Sequence, residues 1–179
     1  MRKGSHIILR CSLSFAAEVG WPVEGGVVLE SLERGVAFPT VTLAWGREQQ
    51  EGGVYPVYIE TSYIVSRESE ASGSHYYILF GFKVEEEQTR RYFLRHWKQL
   101  SGLAGLVLFL SEEGHQLVRA SLLSREEGGE EVAEEGFQLV VLVEAEVPEG
   151  RLAYLLELVG RIRDTRNTGY LALYRSHAH

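Results

Sequence analysis

The sequence predicts an α+β protein of ferredoxin-like plan: repeated strand-helix-strand units forming a mixed or antiparallel sheet with helices on one face, extended by extra N-terminal strands. Three observations lead there. Apolar residues alternate with a period of two in several segments, two segments carry apolar residues at helical spacing, and the strand-then-helix order occurs twice in the second half of the chain.

The first strand is read from Ile7, Leu9, Cys11, Leu13 and Phe15, which fall on one face of an extended segment. A link containing Gly and Pro follows, and Val27 to Arg34 is expected as a short helix stopped by Gly35. Thr40 to Trp45 and Val54 to Ser66 are β-rich, separated by a turn at Gly52-Gly53, with Pro56 forcing an edge or bulge because it cannot donate to a ladder. Arg67 to Ser74 reads as a connector.

Tyr76 to Val84 resumes a strand, with Ile78, Phe80 and Phe82 on one face. Glu85, Glu86 and Glu87 then open a helix to about Leu100, their charge complementing the positive end of the helix dipole. Phe93, Leu94, Trp97 and Leu100 supply its buried stripe. Leu106 to Leu110 is expected as a short apolar strand, turning at Glu112-Glu113-Gly114 into a returning strand from Gln116 to Ser124. Arg125 to Gly136, with six glutamates and three glycines, is expected as a solvated loop without the spacing of a calcium loop. Phe137 to Val147 is the clearest strand. Pro148 breaks it ahead of a helix from Glu149 to about Arg166, with Leu152, Leu155, Leu156, Val159 and Ile162 as its core stripe, and Tyr170 to Arg175 is the last strand.

At an offset of 62, Tyr92, Phe93, Leu94, Trp97 and Leu100 align with Tyr154, Leu155, Leu156, Val159 and Ile162, and the preceding strands are read at the same offset. The first third of the chain is a weaker candidate for a third copy. The expected organisation is one domain over 1–179, divisible into a strand-rich part over 1–68 and a duplicated part over 75–175. The phrase Val143 to Leu156, a strand, a Pro-Glu-Gly turn and a Leu-rich helix, is similar to what small ferredoxin-like ligand-sensing domains show, and it contains no motif specific to one family.

With 45% hydrophobic and 24% charged residues, the chain can bury a real core. A net charge of −7 disfavours general nucleic-acid binding unless cations are segregated on one face. Fifteen arginines against three lysines, with one asparagine, one methionine and one cysteine, make the composition thermophile-like. Cys11 alone cannot form an internal disulfide or a cysteine cluster for zinc, and its place in an apolar strand suits a buried, inert thiol. No apolar run reaches membrane-span length, and the N-terminus lacks signal-peptide character, so the expected location is the cytoplasm with no membrane partner.

No phosphate loop, dinucleotide fingerprint, nucleophile elbow or paired-histidine metal motif occurs, and no cofactor or metal is expected. The candidate binding residues are cationic: Arg90, Arg91, Arg95 and Lys98 on the first helix, and Arg161, Arg163 and Arg166 on the second. Two such rows on one sheet face could hold RNA or an acidic partner, although Glu87 is also placed to pair with Arg91. His75 and His96 are the candidate acid–base residues, and His177 and His179 lie near the end of the chain. The leading functional expectation is a non-catalytic binding or assembly module that self-associates through its sheet, because Val140 and Leu142 oppose Val141 and Val143 and both faces need cover. The alternative is an RNA- or nucleotide-binding protein, a nuclease among the options, using the arginine-bearing helices.

Overall fold

Among the described residues, alternating sequence is realised as eight strands: β1 (His6–Ser12), β2 (Val27–Ser31), β3 (Thr40–Trp45), β4 (Val57–Val65), β5 (Ser74–Phe82), β6 (Gln116–Arg125), β7 (Leu139–Val147) and β8 (Tyr170–Ser176). Helical periodicity is realised in α1 (Glu87–Leu100), α2 (Leu103–Glu112) and α3 (Leu152–Thr165). The computed structural model describes residues 6–12, 27–34, 36–38, 40–45, 57–65, 74–112, 114–125, 137–165 and 169–176. The link after Phe15, the Gly52-Gly53 turn with Pro56, most of the Arg67–Ser74 connector, the acidic loop before Gly136, Arg166, His177 and His179 lie outside these residues.

The strands close a barrel in the order β1-β3-β2-β8-β5-β7-β6-β4. Every pairing among the described residues is antiparallel. Its second half, β8-β5-β7-β6, is the ferredoxin-like sheet. α1 and α2 together carry the chain from β5 to β6, and α3 carries it from β7 to β8, each crossover joining parallel strands that are not neighbours and leaving β7 between β5 and β6 and β5 between β7 and β8. The fold is therefore α+β and ferredoxin-like, with four N-terminal strands completing the barrel.

Two cores follow from the pleat. Outward positions Ile78, Phe80, Phe82, Val141, Val143, Leu171 and Leu173 pack under Phe93 and Trp97 of α1, Leu103, Leu106 and Leu110 of α2, and Leu155 and Val159 of α3. Inward positions Leu79, Leu123, Val140, Ala172 and Tyr174 pack against Leu29, Val41, Leu43 and Tyr58 of the N-terminal strands. The second apolar face of the ferredoxin-like sheet is thus covered by β1–β4 of the same chain, and closure leaves that sheet no free edge.

Three local expectations need correction. Val27 to Arg34 is not a helix: Val27–Ser31 pairs with β3 and β8, as its paired β-branched residues favour. Leu106 to Leu110 is not a strand but part of α2, where Leu103, Leu106 and Leu110 form one buried stripe; a short apolar run fits either period, and the spacing of these leucines decides it. His115 N–H donates to the Leu110 carbonyl at 2.8 Å to end that helix, so β6 pairs with β4 and β7 rather than returning along a hairpin.

The offset of 62 pairs buried Phe93 with Leu155 and buried Trp97 with Val159, but it also pairs Leu100, expected in the buried stripe and in fact exposed, with half-buried Ile162. It fails on the strands. Ile78 lies on the helix side and Val140 inside the barrel. The elements themselves recur at 65, from Ser74 to Leu139 and from Glu87 to Leu152, and an odd offset is what keeps each strand residue on its face. The first 65 residues, where described, hold four strands and no helix.

Candidate functional site

The two ends of the barrel differ in chemistry. At one end the rings of Phe38, Phe137 and Tyr170 meet, with centroids 5.2–5.6 Å apart. Tyr58 Oη donates to the Phe137 carbonyl at 2.7 Å and Tyr174 Oη to the Phe38 carbonyl at 2.9 Å, so these rings are fixed as well as apolar. This end is plugged.

At the other end the inward positions turn polar. His75 and Tyr77 continue the inner face of β5 beyond Leu79, Glu144 continues that of β7 beyond Leu142, and Arg119 and Ser121 continue that of β6 beyond Leu123. Strand register sets them side by side, with Tyr77 opposite Glu144 and Glu144 opposite Arg119. On β4 the register shifts between Glu60 and Ser62, and Glu60 reaches the same cluster.

Two hydrogen-bonded groups result. Glu144 Oε1 lies 2.8 Å from His75 Nδ1 and accepts a hydrogen bond from Tyr77 Oη at 3.2 Å. Glu60 Oε1 accepts from Arg119 Nη2 and Ser121 Oγ, each at 2.6 Å, while Arg119 Nε donates to Ser121 Oγ at 3.0 Å. The Arg119 guanidinium also covers the Tyr63 ring, 4.6 Å from its centroid. Burial holds the Tyr77 phenol well above the usual tyrosine range, and the charge of Glu144 and the hydrogen bond to it push the same way. Tyr77 is therefore a hydrogen-bond donor at neutral pH. His75 and Glu144 are 31% and 24% exposed, open enough to meet a ligand. Among the described residues no group of three or more His, Cys, Asp or Glu is arranged to hold a metal ion, and no helix is long and apolar enough to cross a membrane.

The described cationic candidates lie outside the barrel, and several are already engaged. Arg90 Nη2 donates to Ser124 Oγ at 2.8 Å and to the Arg125 carbonyl at 3.3 Å, tying α1 to β6. Arg91 pairs with Glu87 at 2.8 Å, the i,i+4 pairing expected from spacing. Arg161 lies 3.9 Å from Glu157 and over the Phe109 ring of α2. Arg163 binds Glu33 and the Leu171 carbonyl. Arg95 is exposed, and Lys98 sits 6.0 Å from the Trp97 ring centroid. His96 packs against Tyr92 with ring centroids 4.5 Å apart and planes tilted by 40°, on the exposed side of α1.

Of the described sequence candidates, then, only His75 enters the polar cluster. Its partners were missed. The available signal was on β7, where Glu144 and Glu146 replace apolar residues on the face that holds Val140 and Leu142.

Fold and site together define a closed antiparallel α+β barrel, half of it ferredoxin-like, with one aromatic and one polar end. The chain belongs to the family described as Domain of unknown function (DUF7153), whose profile matches residues 47–176. Among solved structures it is similar to an uncharacterized ferredoxin fold protein related to antibiotic biosynthesis monooxygenases from Listeria monocytogenes 4b F2365, at 7% identity over 99% of this chain and 97% of that one, with a TM-score of 0.47. No curated protein matches.

Proposed function

We propose that this protein is a binding module that takes a small polar ligand at the polar end of its barrel. The observation that carries this reading is the hydrogen-bonded set His75–Glu144–Tyr77 beside Glu60–Arg119–Ser121 at the end of an otherwise apolar lumen. Two carboxylates, a guanidinium and an imidazole converge where the neighbouring inward positions are apolar, and such a concentration of ionisable groups supports a role beyond packing. It offers donors in Arg119 and acceptors in Glu144 and Glu60, the Tyr77 hydroxyl being given to Glu144, which suits a molecule carrying both hydroxyl or amine and carbonyl groups.

Self-association remains part of the proposal, on a surface other than the second face of the ferredoxin-like sheet, which β1–β4 cover. Tyr92, Leu108 and Tyr154 are large apolar side chains left exposed on the helices. Binding of RNA or an acidic partner through the helices draws on Arg95 and Lys98, since Arg90, Arg91, Arg161 and Arg163 are occupied within the chain. Amide shift mapping of the labelled protein against a library of small polar fragments separates these readings. Shifts gathered at Tyr77, Arg119, Ser121 and Glu144 are expected. Shifts confined to α1, or produced only by added RNA, would overturn the proposal.

A further inference from the structure

A carboxylate accepts hydrogen bonds and donates none, and Glu144 Oε1 takes the Tyr77 hydroxyl and faces His75 Nδ1 at 2.8 Å. The proton between His75 and Glu144 therefore belongs to Nδ1. In a neutral imidazole that leaves Nε2 with its lone pair free to accept, and among the described residues Nε2 has no hydrogen-bond partner. Tyr77 fixes the carboxylate that fixes the ring, the arrangement by which an acidic group orients a histidine for proton transfer.

We propose that His75 is a general base acting on water or on an acidic O–H of a ligand bound at the polar end, with Glu144 and Tyr77 as its positioning residues. Nε2 takes the proton, the oxygen keeps the bonding pair and becomes the attacking or leaving-group-expelling oxygen, and the imidazolium that forms is held beside Glu144 until the proton passes back to solvent or product. This depends on the polar end being the binding site, and it adds a reaction to the binding.

The test uses the full chain and a generic probe. Long-range proton–nitrogen spectra of the protein labelled in histidine nitrogens report the tautomer of His75 directly, without any substitution. The Nδ1–H form is expected in wild type, and loss of that preference in Glu144→Gln. With 4-nitrophenyl acetate as probe, a water proton passes to Nε2, the water oxygen bonds the acetyl carbon and 4-nitrophenolate leaves. His75→Asn should lower this hydrolysis about tenfold, less than the ~10²–10⁴ a general base contributes on a matched substrate. Glu144→Gln should lower it with a changed pH profile, and His96→Asn should leave it as it is. An Nε2–H tautomer in wild type, or hydrolysis by His75→Asn at the wild-type rate, would overturn the assignment. Fragment shifts at the barrel end accompanied by either result would leave the binding site standing and remove the base.

Discussion

The ring of Phe137 lies against Gly81 so closely that a Cβ on Gly81 would come within 2.5 Å of it. Glycine on β5 is what allows the aromatic plug to seal its end of the barrel. Gly81→Ala should destabilise the fold by about 1–3 kcal/mol through overpacking, read as a lower urea midpoint. Phe137→Leu in the same chain should restore part of the loss, because the two changes act on one contact. An unchanged midpoint in the single variant would show that the plug yields freely.

Glu33 joins the N-terminal strands to the helical half. Its Oε1 accepts from the Leu173 backbone N–H at 2.9 Å and its Oε2 from Arg163, and it is only 14% exposed against 41% for Arg163. The two ends of this pair should not be equivalent. Glu33→Ala removes the acceptor of a half-buried backbone N–H and should cost about 1–3 kcal/mol, whereas Arg163→Ala should cost under about 1 kcal/mol. Equal losses in chemical denaturation would contradict this ordering.

Tyr77 makes the polar end sensitive to alkali. Its folded pKa is raised above the unfolded value of about 10, so the stability it contributes is complete below about pH 10 and is lost as pH rises beyond that. Stability measured from neutral to strongly alkaline pH should fall on the alkaline side in wild type. Tyr77→Phe should flatten that fall while costing about 0.5–1.5 kcal/mol at neutral pH for its missing hydrogen bond. An alkaline limb identical in both proteins would assign the loss to other groups.

Much of the architecture is local enough to read from the chain. Ile78, Phe80 and Phe82, and the run Phe137 to Val147, announce their strands by alternation, and Phe93 and Trp97 announce α1 by helical spacing. What could not be read was non-local. Closure of the barrel depends on β1 meeting β4 and β2 meeting β8, pairings that no local pattern specifies. The strand apolar on both sides was legible in Val140 and Val141, and the need for a covering layer with it, but not that β1–β4 would provide that layer. The site shows the same limit. His75 and Glu144 are 69 residues apart, and Arg119 meets Glu60 across 59, so each cluster exists only once register is set. The exposed arginines stood out because charge is visible in a sequence and pairing is not.

The outer helices should be more tolerant than the barrel end. Arg91→Ala gives up an exposed i,i+4 pair and Arg95→Ala a solvated cation, so each should change stability by under about 0.5 kcal/mol. Binding of RNA at low salt that collapses on combining Arg91→Ala, Arg95→Ala and Lys98→Ala would favour the helical face as the functional surface.

Ligand recognition at the polar end of the barrel is the central proposal for this protein. It is tested most directly by titrating the tightest-binding polar fragment calorimetrically into wild type, Glu144→Gln and Arg95→Ala. A loss of about tenfold in affinity for Glu144→Gln, with Arg95→Ala matching wild type, is the predicted result, a charged hydrogen bond being worth roughly 1.5–3 kcal/mol. Full affinity in Glu144→Gln together with a loss in Arg95→Ala would contradict it and place recognition on the helices.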